Sequence, residues 1–292
     1  MAKKLLLGIL AAVLLIAFLA YTSLTSSTTV EAQLYLEEGS VLVNNQPIQE
    51  TTQLREGDTI TTEADGLATI ILYESVTISL NPNTKITVEE LTQQHPKLAQ
   101  EGGETFNTFA NIAGVESYSI SAGNSLATVR GTTFSLTEEK IITTEGEVEY
   151  TRDRETFTVR KDEVVERIAQ KTAKRQITQL EKIIIKKQEE RTIKQLQALR
   201  EREIEKNSLL KKAVTSQLDI NDEELYQHLR DVDNSGQDVD TLVEKSPVKS
   251  ESLEKIAKIT KEIQRKKMAL SQQQEGIESH KTKGLTRRDQ TR

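Results

Sequence analysis

Cysteine is absent from the 292 residues, and so is tryptophan. Without a thiol there is no disulfide, no Cys nucleophile, no thiolate zinc site and no lipid attachment through an N-terminal Cys. The absence does not assign a compartment, because exported proteins can also lack Cys. Histidine occurs three times, as His95, His228 and His280, without HExxH spacing. A His-rich metal or catalytic site is therefore not expected. No P-loop, GxSxG or dinucleotide-binding fingerprint is present. Ser246-Pro-Val-Lys249 matches a Ser-x-x-Lys pattern, but it sits in a Pro-bearing linker with no companion motif. The expectation is a non-enzymatic chain with no cofactor, no metal centre and no catalytic residues.

Proline and glycine are missing from long stretches. No Pro lies between Pro96 and Pro247, and no Gly between Gly146 and Gly236. What is present is also unevenly spread. The net charge of −6 divides into 10 Lys/Arg against 21 Asp/Glu in residues 1–160 and 29 against 24 in residues 161–292. Ten of the eleven aromatics lie at or before Phe157. A β-like, turn-rich half thus joins a charged, helix-like half near Arg160–Asp162.

Met1-Ala-Lys-Lys4 precedes 17 uncharged, mostly apolar residues, Leu5 to Tyr21. As a helix they span about 26 Å, near the lower limit for a bilayer core. The run reads as an uncleaved anchor or a cleaved signal peptide. The best cleavage candidate, Val30-Glu31-Ala32, lies far beyond the apolar run, which favours the anchor. Lys3 and Lys4 precede it and no Lys or Arg follows until Arg55. The positive-inside rule then puts the N-terminus in the cytoplasm and the bulk of the chain outside. Residues 1–24 are assigned to the anchor and 25–31 to a tether.

From Ala32 to about Lys161, short runs alternate apolar and polar residues with period two. Examples are Val41-Leu-Val43, Ala68–Leu72, Val76–Leu80, Tyr118-Ser-Ile120 and Phe157-Thr-Val159. Turn signals such as Glu56-Gly-Asp58, Asp65-Gly66, Asn81-Pro-Asn83 and Glu145-Gly146 separate them. Regular short strands of this kind predict an all-β unit: sandwich, barrel or solenoid. Thr is abundant at strand positions and suits solvent-facing sites there.

This segment resembles the FecR-like domain family. Gly39-Ser-Val41 leads to Leu54-Arg-Glu-Gly57-Asp58-Thr-Ile60-Thr-Thr62, similar to the family's L-x-x-G-D-x-I-x-T turn. Ala127-Thr-Val-Arg130-Gly131-Thr132-Thr-Phe134 is similar to its VRGTxF segment. The hairpin Ile141–Val148 around Glu145-Gly146 follows. The family's Asp-Gly-Ser turn reads Tyr73-Glu74-Ser75 here, and its Thr-Pro before the VRGT strand reads Ser121-Ala122. The motif residues Gly39, Gly57, Asp58, Arg130, Gly131, Thr132, Phe134 and Gly146 are expected to serve the fold. Gly57, Gly131 and Gly146 permit tight turns, Asp58 bonds backbone amides in its turn, and Arg130 pairs with a carboxylate on a neighbouring strand. The resemblance implies an extracytoplasmic β-rich module for signalling or binding. Its best-known members sense iron-siderophore status and carry a cytoplasmic anti-sigma segment before the membrane span. Only four residues precede the apolar run here, so that function is not expected to carry over.

Residues 162–212 are dense in Lys, Glu, Gln, Arg, Ile and Leu, and read as one long charged helix. Ile177, Leu180 and Ile184 fit heptad positions, but Lys187, Arg191 and Lys194 then occupy the seam, so no sustained coiled coil is expected. Residues 213–270 read as shorter helices with an acidic loop. Asn221 or Asp219 caps the first of them. Asp231–Asp240 starts like an EF-hand loop, yet it has Asp238 at position 8 and Leu242 at position 12, so an acidic capping loop is the default reading. Ser252–Leu270 reads as a basic amphipathic helix, a partner for the first, and 271–292 as a disordered tail.

The expected fold class is α+β: an N-terminal membrane helix, an all-β solenoid- or sandwich-like FecR-type domain, then long charged helices and a disordered tail. The expected function is a membrane-anchored, extracytoplasmic binding or scaffold module of the cell envelope. Its partners would be the membrane through residues 5–24 and a protein or envelope polymer, with self-association through the helices. Nucleic acid is not expected, because the basic excess is small and interleaved with acids. The second reading is a signal-transducing partner of a membrane receptor.

Overall fold

The computed structural model describes residues 32–289 except 111, 169–170, 241–242 and 244–249. The expected anchor, the tether and most of the linker around Pro247 lie outside the described residues. Among those described, no helix is long and apolar enough to cross a membrane.

Eighteen strands among the described residues form two nine-stranded sheets. The first contains β1 (Ala32–Glu38), β4 (Thr52–Gln53), β6 (Leu67–Leu72), β7 (Val76–Leu80), β10 (Glu104–Phe109), β13 (Thr133–Thr137), β14 (Lys140–Glu145), β17 (Glu163–Ile168) and β18 (Lys171–Gln176). Its order is β18-β17-β14-β13-β10-β7-β6-β1-β4. The second contains β2 (Val41–Val43), β3 (Gln46–Pro47), β5 (Thr59–Thr62), β8 (Lys85–Glu90), β9 (Lys97–Gly102), β11 (Tyr118–Ala122), β12 (Ser125–Val129), β15 (Glu147–Arg152) and β16 (Glu155–Arg160). Its order is β16-β15-β12-β11-β9-β8-β5-β2-β3. From β6 onward the chain alternates between the sheets, mostly as hairpins, so the stack grows along one direction. β9 and β11 pair in parallel.

One face of each sheet points inward. Leu34, Ile70 and Ile78 sit opposite one another in the first sheet, as do Ile120, Ala127 and Tyr150 in the second, and both rows enter one core. A polar chain crosses that core. Tyr118 donates to Asn107 Oδ1 at 3.0 Å, Asn107 to Thr105 at 2.9 Å and Thr105 to Gln100 Oε1 at 2.9 Å. Each buried group is thereby satisfied, and burial pushes the Tyr118 phenol well above its usual value.

The motif residues sit at the corners where the chain changes sheets. Arg130-Gly131-Thr132 carries it from β12 to β13, and Gly146 returns it from β14 to β15. Gly146 packs on the first corner: a Cβ there would lie 2.9 Å from Gly131 O. Thr132 donates to Glu147 O at 2.9 Å, tying the two corners together, and Phe134 is fully buried. Asp58 accepts from Arg55 N and Asn44 Nδ2, both at 2.7 Å, closing its own turn back onto Arg55.

Four long elements among the described residues are helices: α1 (Gln179–Lys206), α2 (Ser208–Leu218), α3 (Asp222–Ser235) and α4 (Glu251–Asp289). Thr178 and Glu181 form a capping box on α1, and Asn221 and Glu224 another on α3. Asp219 instead takes the left-handed C-cap of α2.

Three sequence expectations need correction. First, residues 163–176 are strands, not the start of the long helix. Asp162 adopts φ 64 in the turn that delivers β17 to the first sheet. Val164 and Val165 then bury on opposite faces. Tertiary pairing overrides the helix-forming composition there, so Glu163 and Arg167 lie on a strand rather than one helical turn apart. Second, Asp231–Ser235 is helical, with Gly236 as its left-handed cap, so the expected acidic capping loop does not begin at Asp231, and the disfavoured EF-hand pattern loses its loop as well. Asp233 is buried in an ion pair with Arg200. Third, the segment from Ser271 to Asp289 continues α4 rather than forming a disordered tail.

Gly39 (φ +64) has no room for a Cβ, which would stand 2.1 Å from Asp65 O, whereas Gly57 (φ +86) faces open space. Gly57→Ala is expected to cost about 1 kcal/mol through backbone strain alone. Gly39→Ala adds a backbone clash and is expected to cost about 2–4 kcal/mol, read as a lower urea midpoint.

Candidate functional site

The outer faces of the two sheets have opposite fates. The helices lie across the first. Ile185 of α1 packs on Phe106, Ile142 and Val164. Further along, Ile193, Leu196 and Leu199 of α1 and Ile259, Ile263 and Leu270 of α4 pack with Tyr35, Ile71, Ala110 and Ile112. The expected pairing of the basic helix with the first long helix is therefore present. α1 lies flat on the sheet, so it does not project as a stalk.

Ion pairs lock this cover at defined points. Arg191 of α1 grips Glu37 bidentately at 2.8 and 2.9 Å and donates to Ala68 O at 2.7 Å and Leu80 O at 3.1 Å. Ala68 and Leu80 are cross-strand partners, so one guanidinium closes the end of the β6–β7 pair. At the other end of that pair, Tyr73 (φ 46) and Glu74 (φ 53) form the turn. Glu74 is 7% exposed and accepts ion pairs from Lys206 at 3.3 Å and Lys255 at 3.1 Å. The Tyr73-Glu74 turn is thus a docking point for two helices. Among the helices, Arg200 pairs with Asp233 at 2.5 and 2.9 Å and donates to Thr260 at 3.1 Å. At the start of α1, Glu181 is held well below the usual carboxylate range, first by Arg175 and then by Thr178 and Lys140.

A cavity of about 290 Å³ opens between β14 and the two long helices, lined in part by Thr144, Glu189, Arg265 and Lys266. Burial raises the Glu189 carboxyl and lowers the Lys266 ammonium. Lys266 donates to Thr133 at 3.0 Å.

Among the described residues nothing covers the outer face of the second sheet. A row of paired residues crosses it through Thr59, Thr87, Ala99, Ser121, Leu126, Thr151 and Thr156. All are exposed or half-buried. Hydroxyls bond across it, as between Ser119 and Thr128 at 3.1 Å and Thr151 and Thr156 at 3.1 Å. At about 4.8 Å per strand this row runs about 29 Å.

His95 Nδ1 lies 2.8 Å from Ser117 Oγ, and Glu116 lies 3.9 Å from Nε2. The amides of Glu116 and Ser117 both donate to Gln94 O, at 2.9 and 3.1 Å. No donor pair is left there to hold an oxyanion, and the contacts fasten a loop. Among the described residues no three potential ligands converge on a metal position.

The sequence-selected residues Gly39, Gly57, Asp58, Gly131, Thr132, Phe134 and Gly146 are dispersed over turns, corners and core and make no single site. Arg130 is exposed at its corner and makes no ion pair among the described residues, contrary to the expected strand pair. Sequence reading missed Arg191, Arg200 and Glu74. The one signal available was the capping box Thr178-x-x-Glu181, which marks where α1 begins.

Residues 58–149 match the family model described as FecR protein. No curated protein matches the chain. Two crystal structures of a "putative anti-sigma factor" from Parabacteroides distasonis ATCC 8503 align with 16% identity and a TM-score of 0.37. Each alignment covers 41% of this chain and 59% of the solved one.

Arg200→Met strands a buried Asp233 carboxylate and is expected to cost about 3–5 kcal/mol. The double variant Arg200→Met/Asp233→Leu removes both charges and should recover most of that loss. Urea midpoints of the three proteins test this; equal midpoints for the single and double variants would remove the buried pair from the account.

Proposed function

We propose that this FecR-domain chain is a non-enzymatic binding and scaffold module of the cell envelope. Residues 5–24 hold it to the membrane with the N-terminus cytoplasmic, and the β stack works outside. The partner is a protein or an envelope polymer, received on the outer face of the second sheet. The observation that carries this reading is the contrast between the faces. The chain covers one with its own helices and, among the described residues, leaves the other open as a row about 29 Å long across seven strands, in which Thr59, Thr87, Ser121, Thr151 and Thr156 carry hydroxyls and Ala99 and Leu126 do not. Such a face offers regularly spaced donors and acceptors to an extended, repeating ligand, with little apolar area to bury. The Lys3-Lys4 flank and the apolar run of Leu5–Tyr21 support the topology.

The FecR match supports a second reading, a signal-transducing partner of a membrane receptor. Crosslinking in intact cells separates the two. Contacts with wall material or with the chain itself support the scaffold, and one dominant membrane receptor supports signalling.

The binding claim predicts that Thr87→Arg/Ser121→Arg/Thr151→Arg weakens association with isolated envelope material at least about tenfold, equivalent to about 1.4 kcal/mol. Its urea midpoint should stay near that of the unsubstituted protein, because surface changes cost little. Undiminished association of the triple variant would move the binding face elsewhere.

A further inference from the structure

Six large apolar side chains stand exposed among the described residues, and four of them fall between Ile168 and Ile184. Leu180 is 68% exposed, Ile183 53% and Ile184 46%, all in the first two turns of α1. Glu181, Ile185 and Glu189 take the sheet-facing side of those turns and their continuation, which leaves these three on the remaining surface. Ile168, 56% exposed, ends β17 on the covered face of the first sheet. It follows Val164 by four residues and so shares its face.

Cations surround this patch. Lys171 is the cross-strand partner of Ile168 in the β17–β18 hairpin, and Lys182 and Lys187 come from α1. None of the three has an ion-pair partner among the described residues. Lys186 reaches Glu190 only at 3.9 Å. The nearby carboxylates are already committed. Glu166 pairs with Arg175 at 2.6 Å, and Glu181 with Arg175 at 2.8 Å and Lys140 at 3.3 Å. The corner therefore presents branched aliphatic side chains within a ring of free positive charge.

We propose that this corner docks on an anionic lipid surface. Leu180, Ile183 and Ile184 enter the headgroup boundary, where amphipathic helices bury their apolar side about 5–10 Å deep. Lys171, Lys182 and Lys187 meet the lipid phosphates. Charge selects this occupant over a second copy of the chain, since two such corners would set lysines against lysines. Area does the same: two helical turns expose far less than the roughly 800 Å² per partner that stable association needs. The inference stands on the geometry of residues 168–187 and does not require the N-terminal run to be an anchor.

The absence of cysteine makes the test direct, because one introduced thiol is the sole labelling site. The full chain carrying Ile183→Cys, and separately Leu126→Cys on the second sheet, is labelled with NBD. Each is mixed into vesicles of phosphatidylcholine alone and of equal parts phosphatidylcholine and phosphatidylglycerol. Doxyl-labelled lipid should quench the probe at 183 several-fold more than the probe at 126 in the anionic vesicles, with a blue-shifted emission. In neutral vesicles the two probes should behave alike. Lys182→Glu/Lys187→Glu should abolish the difference while leaving the circular dichroism spectrum and urea midpoint unchanged. A probe at 183 that stays open to aqueous iodide in anionic vesicles overturns the proposal, and if the chain still floats with the vesicles, the anchor survives that result. A shift independent of lipid charge that grows with protein-to-lipid ratio also overturns it and identifies a second copy as the occupant.

Discussion

The grip of Arg191 on the first sheet is the constraint from which the rest of the arrangement follows. One guanidinium satisfies both oxygens of Glu37 and two strand carbonyls, at distances from 2.7 to 3.1 Å. That fixes α1 in position and rotation across the strands. Ile185 then falls over Phe106 and Val164, and Leu196 and Leu199 over Tyr35 and Ile71. With α1 placed, its other contacts bring in α4 and, through Arg200, α3. A guanidinium suits this task because its planar fork engages a carboxylate and carbonyls together, which an ammonium does not reproduce.

The covered interface is unusual in its polarity. Thr69, Thr77, Ser79, Thr108, Thr133 and Ser135 are all buried beneath the helices. Several have specific partners, such as Glu104 for Ser135 at 2.7 Å and Lys266 for Thr133 at 3.0 Å, whereas the Thr108 hydroxyl has none among the described residues. Fully buried ion pairs add little net stability but penalise every wrong alignment. Hydrophobic contacts hold the helices on the sheet, and the charges at Glu37, Glu74 and Asp233 set where they sit.

This polarity also explains what the sequence could and could not reveal. Period-two alternation located most of the strands from β2 to β16, because one face of each enters the core. The corners at Gly131 (φ 74) and Gly146 (φ 71) were legible because the left-handed backbone favours glycine, and at Gly146 a Cβ would also stand 2.9 Å from Gly131 O. The second face was not legible. Thr87 and Thr151 lie open while Thr69 and Thr77 lie buried, and the same β-branched hydroxyl residue serves both. Reading Thr as solvent-facing is right for the second sheet and wrong for the first. β17 and β18 were hidden for a related reason: Glu163–Gln176 has helix-forming composition, and only pairing with β14 makes it a strand. Arg191 looked like a heptad-breaking charge and Arg200 drew no reading, because their partners, Glu37 and Asp233, are 154 and 33 residues away in sequence.

The central claim is that one outer face is closed by the chain's own helices and the other is open. Because the chain has no cysteine of its own, single thiols report on each face separately. Thr69→Cys and Thr151→Cys replace residues of similar size on the two faces. The account predicts that the thiol at 151 reacts with a soluble thiol reagent at the rate of a free cysteine. The thiol at 69 should stay protected until denaturant releases the helices. Equal reaction rates at the two positions under native conditions would contradict it.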